Sequence, residues 1–173
     1  MAIEHEWVHS LAEIPEAGLE TRRSATAAAR EKLASDLDLI SCDRLDAHYA
    51  VSRLSQGRYL LQGTLEADIT QTCVVTLDPV ETHIVEPFEV EFRPESQGTA
   101  GVAEFDALET RDIEPLEGET IPVGRIVYEQ LASAIPAYPR KEGATFEPPA
   151  SEAHETKAAS NPFAVLKNLK RKE

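Results

Sequence analysis

Five residues near the N-terminus, His5-Glu6-Trp7-Val8-His9, have the types and spacing of a zinc hydrolase motif. In H-E-x-x-H two imidazoles on one helical face reach a single ion, and the glutamate serves as base. That chemistry needs a helix, because in a strand the same spacing parts the imidazoles by roughly 13 Å. No Ser, Thr, Asp or Asn stands at the start to cap a helix, and Pro15 and Gly18 follow closely. A helix this short is marginal on its own. Ile3 to Val8 therefore reads as a short strand anchored by Trp7 with two exposed histidines, and the zinc hydrolase is kept as an alternative.

The two thiols, Cys42 and Cys73, make no disulfide framework and have no ligand-like spacing, which points to a reducing compartment, the cytoplasm. Cys42 reads as a small buried residue, and nothing basic flanks Cys73 to lower its pKa. No nucleophile has a neighbouring base, and there is no phosphate loop. No catalytic, metal or cofactor residue is assigned, and the inventory is that of a binding protein rather than an enzyme.

Charge is the stronger signal. The 173-residue chain carries a net −14, which opposes nonspecific binding to bare nucleic acid and suits a basic partner. Between Glu86 and Glu119 eleven carboxylates face only Arg93 and Arg111, a net of −9. Glu86, Glu89, Glu91, Asp112 and Glu114 are the candidate docking residues there, against the plainer reading of a solvated surface. The end of the chain reverses sign. From Lys157 onward five bases face Glu173, a net of +4. Asn161 and Pro162 open a helix-like segment with Phe163, Leu166 and Leu169 on one side and Lys167, Lys170, Arg171 and Lys172 beside them. Phe163, Leu166 and these four bases are the candidate contacts of a tail that touches RNA or covers the acidic face.

The elements that position these groups follow from periodicity. Tyr59, Leu61, Gly63, Leu65, Ala67 and Ile69 alternate with polar residues, as do Val80, Ile84, Phe88, Val90 and Phe92. Each run is a half-buried strand, joined through a turn at Thr76-Leu77-Asp78-Pro79. Leu45, Ala47, Tyr49 and Val51 give a third strand, turned at Ser55-Gln56-Gly57. Strands near 44–54, 58–70 and 80–92 thus form a meander. Thr26 caps a helix near 27–37, with Ala29, Leu33 and Leu37 on one face and Ile40 beyond. A second helix near 123–135 follows Pro122 and stops at Pro136. The predicted core includes Leu33, Tyr59, Leu61, Leu65, Phe88, Val90 and Leu131.

The fold class is therefore α+β. An antiparallel meander, or partly open barrel-like sheet, is packed by two helices in one domain over residues 1–138. An acidic mobile loop spans about 94–118, where Phe105 and Leu108 mark a possible short strand. A linker at 139–160 and a basic tail helix at 161–173 follow. No apolar run approaches the ~20 residues of a membrane span, and the acidic N-terminus reads as no signal peptide.

Three motifs together resemble the YceD family, the large ribosomal RNA subunit accumulation proteins. They are Gln71-Thr72-Cys73-Val74-Val75-Thr76-Leu77-Asp78-Pro79-Val80 with the strand Phe88-Glu89-Val90-Glu91-Phe92; Asp112-Ile113-Glu114 leading to Glu129-Gln130-Leu131-Ala132 and Ile135-Pro136-Ala137-Tyr138-Pro139; and Asn161-Pro162-Phe163-Ala164-Val165-Leu166 with its basic end. Many relatives carry C-x-x-C at the first motif and further cysteines after the second helix. Here Thr76 replaces the second cysteine and Pro139 to Pro149 contains none, as in the proteobacterial branch that this chain resembles. The resemblance implies a non-catalytic cytoplasmic role in 23S rRNA synthesis, processing or accumulation, with a basic ribosomal protein or pre-ribosomal particle as partner and rRNA contact through the tail. The alternative is a generic acidic module that binds a basic partner.

Overall fold

The computed structural model describes residues 3–94 and 112–146. Alternation decides the centre of the molecule. Strands β3 (Ser41–Arg53), β4 (Tyr59–Thr72) and β5 (Pro79–Pro94) pair antiparallel in sequence order. Their register sets Tyr49 beside Gly63 and Gly63 beside Phe88, and likewise Val51, Leu61 and Val90. Paired residues project to the same side, so one side of the sheet is mainly apolar: Leu45, Ala47, Tyr49, Val51, Leu61, Leu65, Ala67, Ile84, Phe88, Val90 and Phe92 are all buried. Two further strands extend the sheet. β2 (Leu19–Ser24) lies antiparallel on β3, and β6 (Asp112–Leu116) lies parallel on β5. The order β2-β3-β4-β5-β6 leaves both edges open, so the sheet does not close into a barrel.

Helices cover the apolar side. In α2 (Ala27–Asp36) the Thr26 hydroxyl accepts the Ala29 N–H, and Ala29, Leu33 and Ala34 are buried. In α3 (Val123–Ala134) Val123, Ile126, Val127 and Leu131 face the core, and Pro136 follows two residues past its end. The expected meander, both helices and all seven predicted core residues are present.

Several expectations are corrected. The segment Ile3–Glu6 is one helical turn, α1, and not a strand. Ile3 and Trp7, four residues apart, are buried in the core, and the Gly124 N–H at the head of α3 donates to the Trp7 carbonyl. Tertiary packing thus supplies what capping does not. His9–Ser10 (β1) then pairs with Thr120–Ile121 (β7). The connection after β4 is a turn over Cys73–Asp78, earlier than expected, with the Leu77 N–H donating to Cys73 O and Leu77 at φ 61°. Ile40 is exposed and does not extend the α2 stripe. Residues 112–116 form a strand rather than the end of a loop. Phe105, Leu108 and the tail residues lie outside the described residues.

Candidate functional site

The other side of the sheet is lined by the polar rows. Glu20 from β2, His48 and Ala50 from β3, Gln62 and Thr64 from β4, and Pro87 and Glu89 from β5 sit at matching register positions. Between the row through His48, Thr64 and Pro87 and the row through Glu20, Gln62 and Glu89 runs a groove of about 610 Å³ crossing the strands. On this face Glu20, paired with His48 at 3.1 Å, lies at one end and Glu89 at the other; the lining also includes Asp112 of β6 and Gln130 of α3, which belong to the helix side. Val85 on the same face is 54% exposed. At the floor Gly63 brings β3 and β4 close: a Cβ there would lie 2.5 Å from His48 O and 2.6 Å from Tyr49 Cβ.

The five acids predicted to dock a partner are not one patch. Glu89 and Glu91 belong to the open face. Glu86, Asp112 and Glu114 pair with Leu65, Val90 and Phe92 and so project to the helix side. Glu91 is only 4% exposed, because Arg58 Nη1 and Arg93 Nε donate to one of its carboxylate oxygens at 2.9 and 2.8 Å. Burial pushes the Glu91 pKa up, but the two guanidiniums outweigh it and hold the carboxyl below the usual range. Glu114 is bonded to Arg125 of α3, which also reaches Glu129 at 3.1 Å. Glu91 and Glu114 thus serve as internal ion pairs. Glu20, His48, Gln62 and Thr64, absent from the sequence-based set, belong to the site; their polar alternation was visible, but only the register joins them. Phe163, Leu166, Lys167, Lys170, Arg171 and Lys172 lie outside the described residues.

The histidine motif separates. His5 is exposed on α1, whereas His9 is buried in β1 with Nε2 2.8 Å from the Tyr49 hydroxyl. Burial and the nearby Arg23 lower its pKa. The helix that H-E-x-x-H chemistry needs ends at Glu6, before His9, and both strand histidines being exposed is likewise corrected.

Cys73 is built differently from its expectation. Its thiol is fully buried, and its Sγ accepts the N–H groups of Lys141, Val75 and Thr76, each at 3.4 Å. These bonds, the Lys141 N–H first and the Thr76 hydroxyl next, pull its pKa down to about 6. Local sequence lacks a base, and the donor that matters arrives from 68 residues away. Lys141 Nζ also meets Asp78 at 3.1 Å, and the Val74 N–H donates to Pro139 O, so residues 139–141 rest on the turn. One sulfur with Thr76 in the second cysteine's place does not fit a metal centre, and among the described residues no three His, Cys, Asp or Glu side chains gather as one. Cys42, by contrast, is pushed up to about 11 by burial. Among the described residues no helix is long and apolar enough to cross a membrane.

Comparison with known proteins gives one family match. A family model described as "Large ribosomal RNA subunit accumulation protein YceD" covers residues 61–170. No curated protein and no solved structure matches the chain.

Proposed function

The chain belongs to the YceD family of large ribosomal RNA subunit accumulation proteins, and on that footing we propose that it is a non-enzymatic, cytoplasmic factor supporting synthesis, processing or accumulation of 23S rRNA. The observation that carries the reading is the extent of the match, which begins in β4 and runs through β5, β6 and α3. The groove face and the Cys73 turn both fall largely within it. Physical chemistry favours a basic protein over RNA as the partner of the folded domain. A net −14 repels phosphates, and the same acidic surplus suits a partner rich in Lys and Arg. The partner is then a basic ribosomal protein or a pre-ribosomal particle presenting one, with rRNA contact left to the basic tail.

The test is a deletion strain examined by ribosome gradient and 23S rRNA quantification. Loss of free large subunits and of 23S rRNA relative to 16S, restored by the wild-type chain, is the expected result. A normal gradient and a normal rRNA ratio in the deletion strain overturn the reading. Glu20→Lys with Glu89→Lys should fail to restore either if the groove face holds the partner, and full restoration by that variant removes the groove from the function.

A further inference from the structure

A leucine in a left-handed backbone conformation marks the pole where the chain leaves the domain. Leu77 sits in the Cys73–Asp78 turn at φ 61° and is 77% exposed. Glycine or asparagine takes that conformation at lower cost, and water gives an exposed leucine nothing in return. Strain of this kind persists where the side chain is used. Leu77 is not alone at this pole. Val74 of the same turn is 48% exposed and Tyr138 is 79% exposed. The Val74 N–H donates to Pro139 O at 2.9 Å, which brings Tyr138 beside the turn. Asp78, the carboxylate of the turn, is already paired with Lys141 Nζ at 3.1 Å. What the pole offers a partner is therefore apolar contact, and exposed apolar residues gathered in one place mark interaction surfaces.

The same contacts anchor the exit of the chain. The Lys141 N–H donates to Cys73 Sγ, and Lys141 Nζ to Asp78, so residues 139–141 are fixed on the turn. The described chain ends five residues later at Phe146. Fourteen residues, 147–160, then separate it from the segment 161–172. At coil dimensions a tether of that length averages about 20 Å. Its ends meet with the least loss of entropy close to the anchor, and the effective concentration there is on the order of millimolar. The segment carries what the pole lacks. At helical spacing Phe163, Leu166 and Leu169 fall on one side, and Lys167 and Arg171 fall off that stripe.

We propose that Phe163, Leu166 and Leu169 dock on Val74, Leu77 and Tyr138 in the free protein, with Lys167 and Arg171 left facing solvent. The contact needs no free carboxylate. It depends on the turn, its exposed apolar residues and the tether, and it is tested in the isolated chain, so it stands or falls apart from the ribosomal role.

The experiment compares backbone amide resonances of the full-length chain with those of a full-length Leu166→Asp, Leu169→Asp variant. The amides of Val74, Leu77 and Tyr138 should differ between the two, at every protein concentration alike. Leu77→Asn is the reciprocal variant; asparagine suits the left-handed backbone, so the fold is not put at risk. It should lower the ratio of docked to free tails about tenfold or more, because covering one leucine is worth at least that factor, and the Phe163 and Val165 amides should move toward random-coil positions. Raising salt should leave the wild-type spectrum in place, since screening acts on charges and not on apolar contact. Identical turn resonances in wild type and tail variant overturn the proposal. Differences confined to the cleft around Tyr128 and Arg125 overturn it too, by placing the tail elsewhere. Differences that grow with protein concentration assign the contact to a second copy, and docking lost in salt assigns it to charge; either result is equally fatal.

Discussion

Adding one methyl group at Gly63 should test the sheet at its tightest point. The new Cβ would lie 2.5 Å from the His48 carbonyl oxygen, 2.6 Å from Tyr49 Cβ and 2.9 Å from Phe88 Cζ. Carbon atoms normally approach to about 3.5–4.0 Å, so the contact with Tyr49 Cβ is about 1 Å too close. Phe88 can tilt, but His48 O and Tyr49 Cβ are fixed to the main chain of β3, and relief requires β3 and β4 to part. Overpacking of this kind costs about 1–3 kcal/mol, and the fixed partners place it near the top. Against this, alanine in a strand gains about 0.5–1 kcal/mol over glycine. Gly63→Ala should therefore destabilise by about 2 kcal/mol, lowering the unfolding midpoint by about 4–8 °C for a chain of this size. Urea unfolding of both proteins, followed by fluorescence of the single Trp, Trp7, measures it. Stability equal to wild type within 0.5 kcal/mol refutes the register that sets Gly63 between Tyr49 and Phe88.

Leu61 is fully buried, so Leu61→Ala should cost about 2–5 kcal/mol in the same assay; a loss under 1 kcal/mol contradicts the core. Glu91→Gln leaves Arg58 and Arg93 without their shared anion, and because both arginines are about a third exposed the cost should be about 1–2 kcal/mol at neutral pH rather than the 3–5 of a fully buried pair. Since the Glu91 pKa is lowered on folding, its contribution is complete above the ordinary glutamate range and is lost as pH falls through the folded value. The difference between Glu91→Gln and wild type should accordingly shrink on acidification, and a pH-independent difference would contradict the ion pair. Cys73 should titrate near pH 6 by thiolate ultraviolet absorbance, well apart from Cys42 near 11. Its folded pKa is depressed, so the stability it adds is fully present above the unfolded thiol value of about 9 and is lost as pH falls through about 6. Cys73→Ser should remove the absorbance step near pH 6 and that rise in stability; a step that persists in the variant would assign it to another group.

What periodicity encodes and what it does not can be read element by element. β3, β4 and β5 each bury one face and wet the other, so their two-residue alternation was visible, and α2 and α3 carry their apolar residues at helical spacing. β2 lies at a sheet edge, where Glu20, Arg22 and Arg23 leave no alternation to detect. α1 and the residue after it bring two apolar residues, Ile3 and Trp7, whose four-residue spacing was there to be seen but was outweighed by the missing cap. The candidate acids divide between the two faces for a different reason. Net charge along the chain records how many carboxylates there are, not which side of a strand they take, and Glu91 among exposed-looking glutamates is buried because Arg58 arrives from the neighbouring strand's threshold. The Cys73 nest depends on main-chain donors, which no side-chain pattern displays.

The parallel pairing of β6 on β5 constrains how this gene product can change length. β5 ends at Pro94, level with Leu116, yet β6 must begin at Asp112 beside Val90. The seventeen residues 95–111 therefore join the end of β5 to the start of β6, which lie at opposite ends of the paired segment. Parallel neighbours need a crossover connection of a dozen or more residues, and seventeen stand between these two. Growth is nearly free by comparison, since doubling a flexible loop adds only about 0.6 kcal/mol of closure entropy. Insertions should accumulate between β5 and β6 while deletions there stop abruptly, and a tag or reporter domain belongs at that point rather than in the two-residue strands β1 and β7.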